Sequence, residues 1–155
     1  MNKFTGNCEL RAEGLIKKSF PSLKNKYIKV LEIPMRKYYS GGVLYPLPII
    51  FINKSFKDSS LSRIKGVLVH ELCHLEIFFN RGFFKNTIKG ILYHISSKHR
   101  RIEEREAEEL AIEKGYAHEI YTAALESNKL KTKKISSYYM SIDEIKRYAK
   151  SIGKW

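Results

Sequence analysis

The sequence has 155 residues, 43% hydrophobic and 29% charged, a composition typical of one folded domain with a sizeable core. Its 29 lysines and arginines outnumber 16 acidic residues, which gives a formal net charge of +13. Such a surface could attract DNA, RNA or anionic membranes, but the basic residues are scattered over most of the chain. Nucleic-acid binding is therefore not favoured as the main function.

Cysteine content and hydropathy indicate where the protein resides. The two cysteines are Cys8 and Cys73, and Cys73 lies in a predicted helix where a disulfide to the N-terminus would be awkward. The opening residues contain no apolar signal core, and no run of ~18 uncharged apolar residues predicts a membrane span. We expect reduced thiols and a cytoplasmic protein. No feature of the sequence indicates an oligomeric state.

The first third of the chain predicts one helix and extended segments. Apolar residues at helical spacing over 8–20 predict a helix, and β-branched residues over 27–33 predict a strand. The pair Gly41-Gly42 predicts a turn. In "VLYPLPIIFIN", prolines lack the donor that a central strand requires, so residues 46–48 cannot lie inside a sheet. We therefore expect this segment to be an edge strand.

The middle of the chain predicts two strong helices. The first should be capped by Asp58 or Ser59, run to about Phe79 and break at Gly82. Residues 84–97 predict a short amphipathic helix. The segment "HRRIEEREAEELAIEKG" predicts the second strong helix, which ends at Gly115.

The last part of the chain divides into a helix, a linker and a terminal helix. "YAHEIYTAALES" predicts the start of another helix, and the lysine-rich segment 129–137 predicts a linker. A capping box from Ser141 to Glu144 then begins an amphipathic helix. We expect a main domain over 1–128 and a C-terminal amphipathic helix within 138–155.

The motif "HELCH" is the main chemical signal. His70 and His74 lie four residues apart on a helix, so both imidazoles face the same side and could bind one Zn²⁺ at ~2.0–2.1 Å. Glu71 stands beside them, where it could accept a proton from an activated water. The alternative is that both histidines are ordinary residues of a helix that packs in the core and binds no metal. The helix that carries the motif is apolar on nearly all sides, however, so it must be largely buried. Burying two imidazoles and a carboxylate without partners is costly, which favours a metal.

The third ligand must come from elsewhere in the chain. A metzincin would require glycine at position 77 and histidine at position 80, but these residues are Ile77 and Asn80, so that class is excluded. His94 and His99 are candidates, although surface positions near a basic cluster are favoured for both. The glutamate-rich second helix offers a better source.

Helical geometry separates the glutamates of that helix into two sets. Glu104 and Glu108 fall on the side of Ala107 and Ala111, whose small side chains permit close packing. Three of the other four, Glu106, Glu109 and Glu113, fall on the opposite side, and the fourth is Glu103. Of two carboxylates on a packed face, one could bind zinc while the other accepts the N–H of a liganding histidine.

The combination of "HELCH" with "EREAEELA" resembles the gluzincin metallopeptidases, and the short chain is most similar to the minigluzincins. The resemblance implies that Glu104 is the third metal ligand. Glu108 then stands where the family often has aspartate, as the carboxylate that orients a histidine. It implies an α+β, zincin-like fold, with a short twisted sheet packed on the two motif helices and an extra C-terminal helix. It also implies that an edge strand containing Ile49, Ile50 and Phe51 binds substrate backbone by β-augmentation.

These features predict a zinc-dependent endopeptidase that acts on a peptide or protein substrate, with zinc as cofactor and Glu71 as general base. One alternative is a regulatory gluzincin that cleaves repressors, of the ImmA/IrrE type. A second is a basic nucleic-acid-binding protein with a structural zinc, and a third is a peripheral membrane protein that uses "FFNRGFFKNTIKGIL".

Two features of the site stay open at the level of sequence. No residue is assigned to stabilise the transition state, since Tyr116 and His118 could serve only if the chain turns at Gly115. Minigluzincins can be latent, with a terminal segment in the cleft. The C-terminal helix could act in this way or dock on the back of the domain.

Overall fold

The computed structural model describes residues 7–36, 39–55, 59–82, 86, 92–93, 95–128 and 137–155. Within these ranges the chain is a small α+β protein with a three-stranded mixed sheet and five α-helices. The elements are α1 (Cys8–Ser19), β1 (Lys29–Ile33), β2 (Gly41–Leu44), β3 (Ile49–Asn53), α2 (Leu61–Arg81), α3 (Ser97–Glu113), α4 (Ala117–Asn128) and α5 (Ile142–Ser151). None of the helices in the described ranges combines the length and apolar character that crossing a bilayer requires.

The sheet has the order β1-β3-β2, with β1 parallel and β2 antiparallel to β3. The prediction of an edge strand over "VLYPLPIIFIN" is therefore wrong, because residues 49–53 form the central strand. The two prolines lie in the turn over residues 45–48 and so place no restriction on β3. The predicted turn at Gly41-Gly42 is also wrong, since β2 begins there.

This topology changes the predicted substrate-binding strand. Ile49, Ile50 and Phe51 pair with β1 on one side and with β2 on the other. Their backbone groups are engaged in the sheet, so a substrate strand cannot add to them. Ile50 is also fully buried. Among the described residues β2 pairs only with β3, which makes β2 an edge.

Helix α2 is the centre of the fold. Ser60 caps it by accepting the backbone N–H of Arg63 at 3.2 Å, so the prediction of Asp58 or Ser59 as the cap is wrong. Gly82 ends the helix with a φ of 79°. Its buried side chains form much of the core, together with residues of β3, α3 and α4. Gly66 lets α4 approach closely, since a Cβ there would lie 2.3 Å from the carbonyl oxygen of Glu119.

Helix α3 has the two faces that its sequence predicts. Glu104, Ala107, Glu108 and Ala111 are buried, which confirms the packed face. Gly115, with a φ of 88°, turns the chain into α4.

The C-terminal helix α5 packs against α3 and α4. The predicted capping box between Ser141 and Glu144 is present. Arg105 of α3 donates to both carboxylate oxygens of Glu144, at 2.9 and 3.0 Å. The ring of Trp155 packs against those of His118 and Tyr121. The predicted linker over 129–137 lies almost wholly outside the described residues. Most of the predicted helix over 84–97 lies outside them as well. The division of the chain into domains stays a prediction.

The docking of α5 should depend on pH through Glu144. The backbone N–H of Ser141 and the Arg105 guanidinium lower the pKa of Glu144 to about 2. Because this folded pKa lies below the unfolded value of about 4.3, the stabilisation is complete above that value and is lost as the pH falls toward 2. We expect Glu144→Gln to lower the free energy of unfolding by about 1 kcal/mol at pH 7, discounted for partial exposure.

Urea denaturation of both proteins between pH 7 and pH 2 measures this effect. The difference between wild type and Glu144→Gln should shrink to a small remainder at pH 2, where about half of the folded wild-type carboxyls are protonated. Asp143→Asn removes a charge from the same helical turn and serves as the control for the helix dipole. Equal stability of wild type and Glu144→Gln at pH 7 would contradict the prediction.

Candidate metal centre

Two histidines and one glutamate converge at the boundary between α2 and α3. The Nε2 atoms of His70 and His74 lie 3.1 Å apart. Oε2 of Glu104 lies 3.1 Å from Nε2 of His70 and 3.4 Å from Nε2 of His74. Two neighbouring helices therefore direct three potential metal donors at one another.

The spacing of these donors fits a single zinc ion. Tetrahedral ligands at 2.0–2.1 Å from zinc lie roughly 3.3–3.4 Å from one another. The observed edges of the triangle, 3.1 to 3.4 Å, are close to this requirement. Two imidazoles and a carboxylate are also a donor set that zinc prefers. Among the described residues, no other group of three or more histidines, cysteines and acids brings its donors together in this way.

The surroundings of Glu104 keep its carboxylate charged and oriented. Burial opposes ionisation, but hydrogen bonds from His70 and His74 outweigh it and hold the pKa of Glu104 well below its usual value. The hydroxyl of Tyr93 donates to Oε1, the oxygen that faces away from the histidines. Burial and the negative charge of Glu104 raise the pKa of Tyr93, so it keeps its proton. Oε2 is thereby left directed at the two rings.

Glu71 lies in the wall of the same cleft, beside the edge strand. Its side chain is buried, and β2 passes close to it at Gly41. A Cβ at Gly41 would lie 3.0 Å from Oε1 of Glu71 and 3.0 Å from the carbonyl oxygen of Phe51. The lack of a side chain at this position therefore lets the edge strand and the carboxylate occupy neighbouring space.

The cleft in front of the three donors has a volume of about 380 Å³, within the range of small-ligand sites. Strand β2 forms one side of it, and much of the remainder is apolar. This apolar lining consists of Met35, Val43, Tyr45, Ile77 and Phe78, with the rings of Tyr45 and Phe78 stacked at 4.7 Å. Arg81 lies at the same wall and is paired with Glu103 and Glu106 of α3.

Glu108 is buried one turn beyond Glu104, as its position on the helix predicts. One of its oxygens accepts the backbone N–H of Met140 at 2.6 Å. Glu108 also borders a second, smaller cavity that His70 and Glu71 line. Its predicted role in orienting a histidine stays a prediction.

Those of the other candidates that the structure describes, His99, Tyr116 and His118, do not line the cleft. His94 lies outside the described residues. The ring of His99 contacts the hydroxyl of Ser96, the cap of α3. Tyr116 is buried and bonds the hydroxyl of Ser19 at 2.5 Å, while His118 is exposed and packs on Trp155. The turn at Gly115 does not bring Tyr116 or His118 to the cleft wall.

The sequence does not indicate that tyrosines line the cleft, and two of them, Tyr93 and Tyr139, lie beside the metal donors. Neither belongs to a motif, so no signal in the sequence distinguishes them from other aromatic residues.

In comparisons with known proteins, no family model, no curated protein and no solved structure matches this chain. Fold and site define a small α+β protein with a partly buried His-His-Glu cluster that lines a cleft.

Proposed function

We propose that this protein is a zinc-dependent peptidase. The observation that carries the proposal is the convergence of His70, His74 and Glu104 in the wall of a cleft that Glu71 also lines. A structural zinc site is typically closed by four protein ligands, whereas the described residues bring three donors together here, and these donors line a cleft. The arrangement thus favours a catalytic site over the alternative of a nucleic-acid-binding module with a structural metal.

The proposed chemistry divides among the named residues. His70, His74 and Glu104 would hold the zinc ion, which when bound polarises a carbonyl and lowers the pKa of water. Glu71 accepts a proton from the attacking water and later donates it to the leaving amine. Tyr93 holds the carboxylate of Glu104 in the orientation that faces both rings. A peptidase of the repressor-cleaving type would use the same residues and differ in its substrate.

The proposed substrate is an extended peptide that carries a bulky apolar side chain. Strand β2 is the sheet edge beside the cleft, so its backbone could pair with substrate by β-augmentation in place of residues 49–51. Gly41 and Gly42 have no side chains to obstruct such a strand. The apolar lining around Tyr45 and Phe78 would favour an apolar side chain near the scissile bond.

Metal removal and reconstitution test this function. We expect the zinc-loaded protein to cleave a random peptide library, with bulky apolar residues enriched next to the cleaved bond. Treatment with 1,10-phenanthroline should abolish cleavage, and added Zn²⁺ should restore it, because the donors cannot activate water without the ion. Cleavage that survives complete metal removal, or a zinc-loaded protein that cleaves no peptide in the library, would contradict the proposal.

A further inference from the structure

The C-terminal segment, residues 137–155, supplies part of the wall of the candidate site. Tyr139 lines both the main cleft and the smaller cavity, in company with His70 and Glu71. Its ring centroid lies 6.0 Å from that of His70, and the two rings are tilted by 49°. A residue 35 positions beyond Glu104 in the sequence thus borders the same space as the metal donors.

The backbone around Tyr139 is fixed by the helix that carries Glu104. The N–H of Met140 donates to Glu108 at 2.6 Å, and the carbonyl oxygen of Tyr139 accepts from Arg105 at 3.4 Å. Arg105 also binds Glu144 at the start of α5. These contacts fix the backbone of Tyr139 against α3, so the position of its ring relative to Glu104 does not depend on the linker.

The side chain of Tyr139 carries a phenol, which keeps its proton at neutral pH without help from its surroundings. A neutral phenol in a cleft is a hydrogen-bond donor, and hydrolysis of a peptide bond requires a donor where negative charge develops on the carbonyl oxygen.

We propose that Tyr139 donates a hydrogen bond to the oxyanion that develops on the scissile carbonyl, so that the C-terminal segment completes the active site. This inference rests on the proposed peptidase function. The segment docks beside the cleft and leaves about 380 Å³ of it open. The docked segment therefore acts as a wall of the site, in contrast to a latent form in which it fills the cleft.

Tyr139→Phe tests the inference, because it removes the hydroxyl and keeps the ring. We expect kcat to fall by about 10²–10³-fold with little change in KM, the usual cost of losing one oxyanion donor. The affinity for a phosphinic peptide, which presents a tetrahedral oxyanion, should fall at least about 10-fold for the same reason. Zinc content should stay at the wild-type level.

Tyr138→Phe is the matched control. Tyr138 is the neighbouring residue, it is buried, and it packs under Arg100 away from the cleft lining. We expect wild-type kcat and wild-type affinity for the phosphinic peptide in this variant.

The outcomes separate this inference from the proposed function. If wild type cleaves no peptide but binds the phosphinic peptide at least 10-fold more tightly than Tyr139→Phe does, the peptidase proposal fails while Tyr139 is confirmed as an oxyanion donor. If Tyr139→Phe matches wild type in both kcat and affinity, the inference is overturned. It is also overturned if Tyr139→Phe loses its zinc, since the hydroxyl would then support the metal site.

Discussion

Glu71→Gln is expected to reduce kcat by about 10²–10⁴-fold while the protein keeps its zinc, because glutamine cannot accept the proton that general-base catalysis requires. The substitution preserves the length and shape of a buried side chain, so the cleft wall and the neighbouring strand at Gly41 should remain in place. Steady-state rates on a peptide cleaved by wild type, together with zinc content per chain, measure the effect.

The control for Glu71→Gln is Glu13→Gln, which removes a carboxylate from the exposed face of α1. This variant should cleave at the wild-type rate. A Glu71→Gln protein that retains zinc and cleaves the peptide as fast as wild type would refute the role of Glu71 as general base.

Glu104→Gln should weaken zinc binding by more than about 100-fold. Loss of a residue that only supports a ligand typically costs 10–100-fold, and Glu104 is proposed to bind the ion directly. The amide keeps the shape of the side chain but removes the negative charge that lies 3.1 Å from the ring of His70. Competition with a chromophoric chelator measures the affinity, and cleavage at limiting zinc should fall in parallel.

Glu109→Gln is the matched control on the same helix. Glu109 lies on the opposite side of α3 from Glu104, and it is not part of the converging donor cluster. Its zinc affinity should equal that of wild type. Equal zinc affinities for Glu104→Gln and Glu109→Gln would remove Glu104 from the metal site.

The features that depend on local periodicity could be predicted from the sequence. Four-residue spacing places His70 and His74 on one side of α2, and the same geometry separates the packed face of α3 from its outer glutamates. The capping box at Ser141 and the break at Gly82 are also local signals. These signals predict a cluster of His70 and His74 with one of Glu104 and Glu108, and the choice of Glu104 comes from the resemblance to the gluzincins.

The features that depend on distant pairings could not be predicted in this way. The order of strands is decided by which edges meet, and the prolines gave a misleading signal because they lie in the turn between β2 and β3. The close approach at Gly41 depends on β2 meeting α2, whereas the pair Gly41-Gly42 by itself predicts a turn. Tyr139 reaches the cleft through hydrogen bonds to Glu108 and Arg105, and its own sequence neighbourhood does not indicate them.

The most direct measurement is the crystal structure of the zinc-loaded protein, with anomalous diffraction collected on both sides of the zinc absorption edge. One ion is expected within about 2.0–2.2 Å of Nε2 of His70, Nε2 of His74 and Oε2 of Glu104, with a further coordination position facing the cleft. An ion bound elsewhere, or one held by the histidines while the carboxylate of Glu104 points away, would contradict the account.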